Sequence, residues 1–258
     1  TDTLGSTLKF IADYNQSDPT TLNDNRTSIT QGGQTVDSLY YNRSNSTFRI
    51  ATAQVARERR LSANWMLKYG AKYTYNEINS AAKYRYQNAG EWLPSVVDDY
   101  DISYTENIGA AYAVATMNYG RWSAVVGLRG EYTYTDGGRE SGVSQKYFSL
   151  FPNANLSVAL DKSGKHSLVA QYSRSIARPN FWNLTPNRQQ ISDYTFQSGN
   201  PLLKPQYTDN ITVTAVVAYK YSLTLGMNIR HDAIQRIVLQ DPNNPQMMEL
   251  TYKNLPTD

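Results

Sequence analysis

Apolar and polar side chains alternate with a period of two along most of this chain. The pattern is clearest over residues 63–76. There Ala63, Trp65, Leu67, Tyr69, Ala71, Tyr73 and Tyr75 fall on one face and Asn64, Met66, Lys68, Gly70, Lys72, Thr74 and Asn76 on the other. Strict alternation of this length marks a strand with one face in apolar surroundings and the other in a polar space. The pattern recurs over 102–116 (Ile102, Tyr104, Ile108, Ala110, Tyr112, Val114), 121–135 (Trp122, Ala124, Val126, Leu128, Tyr132, Tyr134) and 148–160 (Phe148, Leu150, Ala154, Leu156, Val158, Leu160). It returns over 166–175, 207–219 and 221–229. A first strand is expected over 4–14, and a strand broken by polar residues over 36–57. Residues 15–34, rich in Asn, Asp, Ser, Thr and Gly, read as a loop, and 77–100 as a long connection with a small hairpin near 82–87.

The connections alternate in length. Short turns are expected at 58–60, 118–120, 161–164 and 220; long segments lie at 77–100, 136–145, 177–205 and 240–246. Transmembrane barrels have this asymmetry, with short periplasmic turns and long extracellular loops. Several strands run about twice the five to six residues usual in soluble sheets. Tyr and Trp collect near the strand ends, where one end of the ring is apolar and the other wet. The apolar faces are therefore expected to look to lipid: Trp65, Tyr73, Trp122, Leu128, Tyr132, Val213, Val217 and Leu225 outward, and Lys68, Lys72, Arg129 and Glu131 toward the lumen.

Composition narrows the alternatives. The 258 residues include 21 Tyr but no Cys, so neither a disulfide framework nor a thiolate metal site is available. A net charge of +3 and the absence of any nucleic-acid motif argue against a nucleic-acid partner. Mean hydropathy is −0.58, and no apolar run reaches the length of a membrane helix. An alternating barrel looks polar on such an average. Residues 1–10 show neither a basic n-region nor an apolar h-region, so no signal peptide is read there.

The segment from Tyr172 to Asn210 carries Pro179, Pro186, Pro201 and Pro205, a density incompatible with ladder or helix. Within and around it lie Tyr172-Ser173-Arg174, Arg178-Pro179, Leu184-Thr185-Pro186 and Gly199-Asn200-Pro201-Leu202-Leu203-Lys204-Pro205. Elsewhere are Ile108-Gly109-Ala110-Ala111-Tyr112, residues 127–133 (GLRGEYT) and Leu150-Phe151-Pro152-Asn153. Together these resemble the barrel region of TonB-dependent outer-membrane receptors of the Bacteroidetes type, with Thr185 and Gln206 where that family usually has Asn and Glu. The resemblance implies an all-β, antiparallel, up-and-down transmembrane β-barrel in the bacterial cell outer membrane, of about 22 strands, filled by a plug domain. Residues 1–258 are then a partial barrel domain of ten or eleven strands, lacking the plug and the C-terminal strands. Such a section is not expected to close into a small barrel of its own.

The implied function is energy-coupled uptake of a nutrient: a siderophore, vitamin, glycan or peptide. The implied partners are outer-membrane lipid, the protein's own plug and remaining strands, TonB through the plug, and a surface lipoprotein. The alternatives are a passive or structural barrel without TonB, and a soluble β-sandwich that binds glycans. No catalysis and no cofactor are expected.

Candidate residues follow. Phe181, Trp182, Arg188 and Tyr194 lie on the long loop, placed either to stack on a ligand or to pack the loop onto its neighbours. Arg129, Glu131, Arg174 and Arg178 are expected to face the lumen or plug. His231-Asp232 is read as a strand-end polar pair, since no nucleophile motif accompanies it. Asp98, Asp99 and Asp101 lack the glycine and glutamate of a calcium loop and read as a solvated acidic loop, so no metal site is assigned. Arg57, Arg59 and Arg60 read as solvated charges near a turn, with lipid head groups as the other reading.

Overall fold

A computed structural model describes residues 5–257 except 89, 95–98, 139–143, 193 and 242–243. The strands are β1 (Thr7–Ser17), β2 (Thr20–Gln31), β3 (Gln34–Arg60), β4 (Trp65–Asn88), β5 (Glu91–Pro94), β6 (Tyr100–Tyr119), β7 (Trp122–Asp136) and β8 (Ser144–Ala159). They continue with β9 (Ser167–Ala177), β10 (Gln189–Ser192), β11 (Thr195–Gln197), β12 (Gln206–Val217), β13 (Tyr221–His231), β14 (Ala233–Asp241) and β15 (Asn244–Leu255). A single helical turn, α1 (Phe181–Leu184), interrupts the segment after β9.

The wall is one antiparallel sheet in the order β1-β3-β4-β6-β7-β8-β9-β12-β13, with β2 added to β3 and β5 to β4. Among the described residues β1 pairs only with β3, and β13 only with β12. The sheet is therefore an open section of a barrel, and β1 does not meet the strands near the C-terminus. A second, four-stranded sheet, β10-β11-β15-β14, joins the segment after β9 to the hairpin after β13.

Register fixes the faces. Leu128 stands opposite Ala113 and Pro152, and Tyr132 opposite Gly109 and Phe148. Both are half exposed, at 50% and 52%. Glu131 and Thr133, on the other face, are buried. The apolar side is thus convex and the polar side concave. Trp65, Tyr73, Trp122, Val213, Val217 and Leu225 are also exposed. A shift of one residue would turn Arg129 and Glu131 to lipid, so burial specifies the register strongly.

The short turns line one end. Leu61 N–H donates to Trp65 O at 2.9 Å, and Gly120 turns with φ 59°. Ala218 and Tyr219 take φ 55° each, a double left-handed step closed by Lys220 N–H to Val217 O at 3.1 Å within the three-residue loop 218–220. Neighbouring turns are stitched together: Asn118 N–H to Asn64 O at 2.9 Å, Ala159 N–H to Arg121 O at 2.9 Å, and Tyr219 N–H to Lys165 O at 3.1 Å.

Several expectations are corrected. Residues 15–34 are not a loop: β1 runs to Ser17, and β2 pairs with β3 from Thr20↔Asn45 to Gln31↔Gln34 around Gly32-Gly33. The strand expected to break between 36 and 57 is continuous, and 58–60 belong to it. Residues 77–88 extend β4 and stay paired to β3, so the hairpin turns beyond Asn88 and β5 returns from Glu91. With β2 and β5 the wall holds eleven strands among the described residues, in line with the ten or eleven expected, and the second sheet adds four more. Polar residues fill both faces of β2 and of much of β3, which removes the hydrophobic alternation while leaving the ladder intact, and on β4 Ser80, Ala82 and Tyr84 are buried on the concave side.

The apolar face of β6 is also reversed. Tyr112 lies opposite Arg129 and Ala110 opposite Glu131, so Ile102, Tyr104, Ile108, Ala110, Tyr112 and Val114 are concave. Gly109, Ala111, Ala113 and Ala115 form the convex face. The physical reason is an inner core: Ile102 and Tyr104 pack with Phe181, Leu184 and the fully buried Leu203 from the segment after β9. Leu4 of the first expected strand lies outside the described residues, as do 95–98 of the 77–100 connection (Asp98 among them), 139–143 of the 136–145 loop, 193 of the 177–205 segment and 242–243 of the last loop.

Candidate functional site: the concave wall and its infolded strap

Residues 178–205 fold back against the concave wall as a strap. Asn180 caps α1, its side-chain oxygen accepting from Asn183 N–H at 2.9 Å. Leu184 and Phe181 enter the inner core. The strap then closes on itself at Gly199, where Gly199 N–H donates to Thr185 O at 2.7 Å and Asn200 N–H to Asn183 O at 2.6 Å. A Cβ at Gly199 would strike Thr185 O and come within 2.7 Å of both Asn183 O and Trp182 O. Three backbone carbonyls converge there, so only glycine fits. Gln145 of β8 donates to Pro201 O at 3.3 Å and Leu203 O at 2.9 Å, tying the strap to the wall. Asn254 of β15 accepts from Lys204 N–H at 2.8 Å and donates to Lys204 O at 3.0 Å.

The charged centre lies beneath this strap. Arg178 donates to Glu131, whose other oxygen accepts from Arg129 Nε at 2.5 Å. Glu106 lies 3.9 Å from Arg178. Glu131 and Arg178 side chains are only 10% and 22% exposed. Two arginines and two carboxylates thus sit on one face, since the register carries Glu131 opposite Ala110 and Ser149. Arg178 follows β9 directly, so this network anchors the start of the strap.

Arg174, expected in the lumen, does not join them. The register β7–β8–β9 places Ser173, not Arg174, on the face of Glu131. Arg174 pairs across the strands with Asp209 at 3.7 Å and stacks over Tyr207 at 5.1 Å. It continues the row of Leu168, Ala170 and Tyr172 along β9. His231 approaches the same Asp209 at 3.0 Å, while Asp232 is a turn residue with φ 54°.

The four loop residues divide. Phe181 is buried, 5.5 Å from the ring of Tyr104. Arg188 stacks over Phe196 at 4.1 Å and lies 3.6 Å from Asp241. Trp182 meets Tyr100 edge-on at 6.4 Å yet keeps an exposed edge, and Tyr194 is exposed. Asp99 is taken by Arg85 in a two-pronged pair at 2.8 and 2.9 Å.

Sequence reasoning overlooked a further cavity of about 250 Å³ between the β2–β3–β4 ribbon and β10. Its lining includes Asn23, Asn25, Tyr40, Asn42, Tyr84 and Gln189. Reading 15–34 as a loop hid it. The Gly32-Gly33 pair between Thr/Ile/Val alternations is the hairpin signal that would have shown it.

An antiparallel wall with a convex apolar band, short turns at one end and a strapped, charged interior is the geometry of an outer-membrane barrel. The sequence profile of the outer membrane protein β-barrel family matches residues 1–258. The chain belongs to that family. Its place is the bacterial outer membrane. No match was found among curated proteins.

Among solved structures the fold resembles copper transporter OprC, with a TM-score of 0.67 at 12% identity, covering 96% of this chain and 39% of that one. Weaker likenesses are ferric citrate transporter FecA in its unliganded form (TM-score 0.42, 15% identity, 92% of this chain and 34% of that) and the siderophore receptor PirA from Acinetobacter baumannii (0.42, 11%, 95% and 49%). The chain thus spans between one third and one half the length of these proteins.

Proposed function

We propose that this outer-membrane barrel section is part of a TonB-dependent importer, in which a plug domain fills the lumen and TonB acts through the plug to release a bound nutrient. The observation that carries this reading is the concave face. A passive pore needs an open, hydrated lumen, whereas here the wall holds a strap over a half-buried Arg129–Glu131–Arg178–Glu106 network. Such a surface favours a fixed internal partner over a water column. The charged residues serve to seat the strap and plug, and exposed Trp182 and Tyr194 supply contacts for material entering from outside. A surface lipoprotein fits above the tall β2–β3–β4 ribbon. The reading assigns binding and passage, with no bond made or broken.

The test is genetic and uses the whole receptor. Cells lacking the gene are grown on single nutrient sources until one is found that supports growth only through the intact gene. Uptake of that nutrient is then measured after TonB is deleted or the proton gradient is collapsed. The reading expects both treatments to abolish saturable uptake. Uptake that persists unchanged identifies a passive barrel instead.

A further inference from the structure

The cavity above the membrane has a chemistry distinct from that of the strapped interior. Cross-strand pairing places Asn23, Asn42 and Tyr84 in one row and Asn25 and Tyr40 in the next. Gln189 of β10 closes the other side. These are amides and phenols with no formal charge. Two arginines also border the space, and each is neutralised: Arg26 is bonded to Asp37, and Arg85 is held by both oxygens of Asp99. Among the described lining residues the wall therefore offers dense hydrogen bonding, with both arginines paired and no carboxylate.

Size adds a second constraint. At about 250 Å³ the space lies just below the range of about 300–1,000 Å³ typical of whole small-molecule sites. It takes one ring of a larger molecule and not a complete metal chelate. An anionic chelate would also require an unpaired cation to offset its desolvation, and both guanidinium groups here are already committed. Side-chain amides carry a donor and an acceptor side by side, matching adjacent hydroxyl groups that must each give and receive. Tyrosine rings add flat apolar surface with a polar tip.

We propose that this cavity is a subsite for a neutral, polyhydroxylated ring, one residue of an oligosaccharide. The proposal deepens the importer reading by naming a substrate class, and it rests on that reading only for its biological sense. Asn23, Asn42 and Gln189 bind the hydroxyl groups, while Tyr40 and Tyr84 flank the ring. The Arg26–Asp37 and Arg85–Asp99 pairs brace the two strands and hold the wall neutral.

The experiment uses the intact receptor purified in detergent and isothermal titration calorimetry. The probes are neutral hexasaccharides (maltohexaose, cellohexaose, xylohexaose and mannohexaose), hexagalacturonate as a charged saccharide, and ferric citrate as an anionic chelate. At least one neutral hexasaccharide is expected to bind, with affinity falling about tenfold or more in Asn42→Leu and in Asn23→Leu. Unchanged heat-modifiable gel migration shows that each variant is folded. Binding by none of the neutral probes at millimolar concentration overturns the proposal. So does neutral binding that both variants leave unchanged, or a site that takes ferric citrate or hexagalacturonate in preference. Binding is measured without TonB, so loss of the importer reading and loss of this subsite are separate results.

Discussion

Glu131 is the residue on which the strap's anchorage turns, and Glu131→Gln isolates its charge. The change keeps the side chain's shape but leaves Arg178 and Arg129 facing a neutral amide. Breaking a fully buried pair costs about 3–5 kcal/mol, and an exposed one about 0–1 kcal/mol. Glu131 is 10% exposed, Arg178 22% and Arg129 31%, so the first pair is nearer the buried limit and the second nearer the exposed one. The expected loss in closing the strap is therefore about 2–3 kcal/mol, well below the cost of unfolding the barrel. Native-state hydrogen exchange on the intact receptor reads it directly, as faster opening of residues 180–188 with the β7 and β8 amides unchanged. The cycle with Arg178→Met separates the pair from its surroundings, and coupling of about 1–2 kcal/mol is expected for groups in direct contact. Coupling under about 0.5 kcal/mol, or exchange that rises equally in β7, refutes the anchor.

Other outcomes follow from the same geometry. Leu128→Arg, on the convex face, should destabilise the barrel by about 2–4 kcal/mol if it lies near the midplane, measured by urea-dependent refolding into lipid; a neutral effect would place Leu128 outside lipid. Gly199→Ala should release the strap, since three backbone carbonyls meet its Cβ; limited proteolysis between 186 and 195 should accelerate without loss of the heat-modifiable barrel. The Ser163 hydroxyl and the His166 backbone N–H hold the Asp161 carboxyl down to about 2. A depressed carboxyl stabilises above its unfolded value and loses that contribution as pH falls through its folded value. The 161–164 turn should therefore stay ordered at pH 5 and loosen between about pH 4 and 2, and titrating its carboxyl signal by NMR checks this.

How much was legible depends on where each strand lies. Within the membrane, β4 from Trp65 and β7 from Trp122 alternate strictly because lipid and lumen differ sharply, and both could be read residue by residue. Toward the far ends of β2 and β3 polar residues occupy both faces. The ladder of β2 on β3, complete from Thr20 to Gln31, carries alternation only beside Gly32-Gly33, at Ile29 and Val36. β6 misled for another reason. Its apolar residues were correctly grouped, but Ile102 and Tyr104 serve the strap's core, and which side of a strand faces lipid depends on partners distant in sequence. Arg174 and Arg178 both read as lumen residues near a strand end, but β9 stops at Ala177 and Arg174 pairs with Asp209 instead. Glu131 and Arg129 were legible because charge within an alternating strand has one tolerable face.

The unequal strand lengths shape access. A crossing strand needs about 9–11 residues. β3 has 27 residues, β4 24 and β6 20, whereas β9 has 11 and β12 12. At about 3.3 Å per residue, β3 is on the order of 90 Å long against about 40 Å for β12. The mouth along this section is cut obliquely, like a quill. A large molecule drifting in from the β3 side meets a parapet, while one arriving over β9 and β12 reaches the strap first and slides against the tall wall, whose inner face carries the cavity near Tyr40 and Asn42. Shortening the parapet should therefore alter capture of bulky cargo more than that of small solutes.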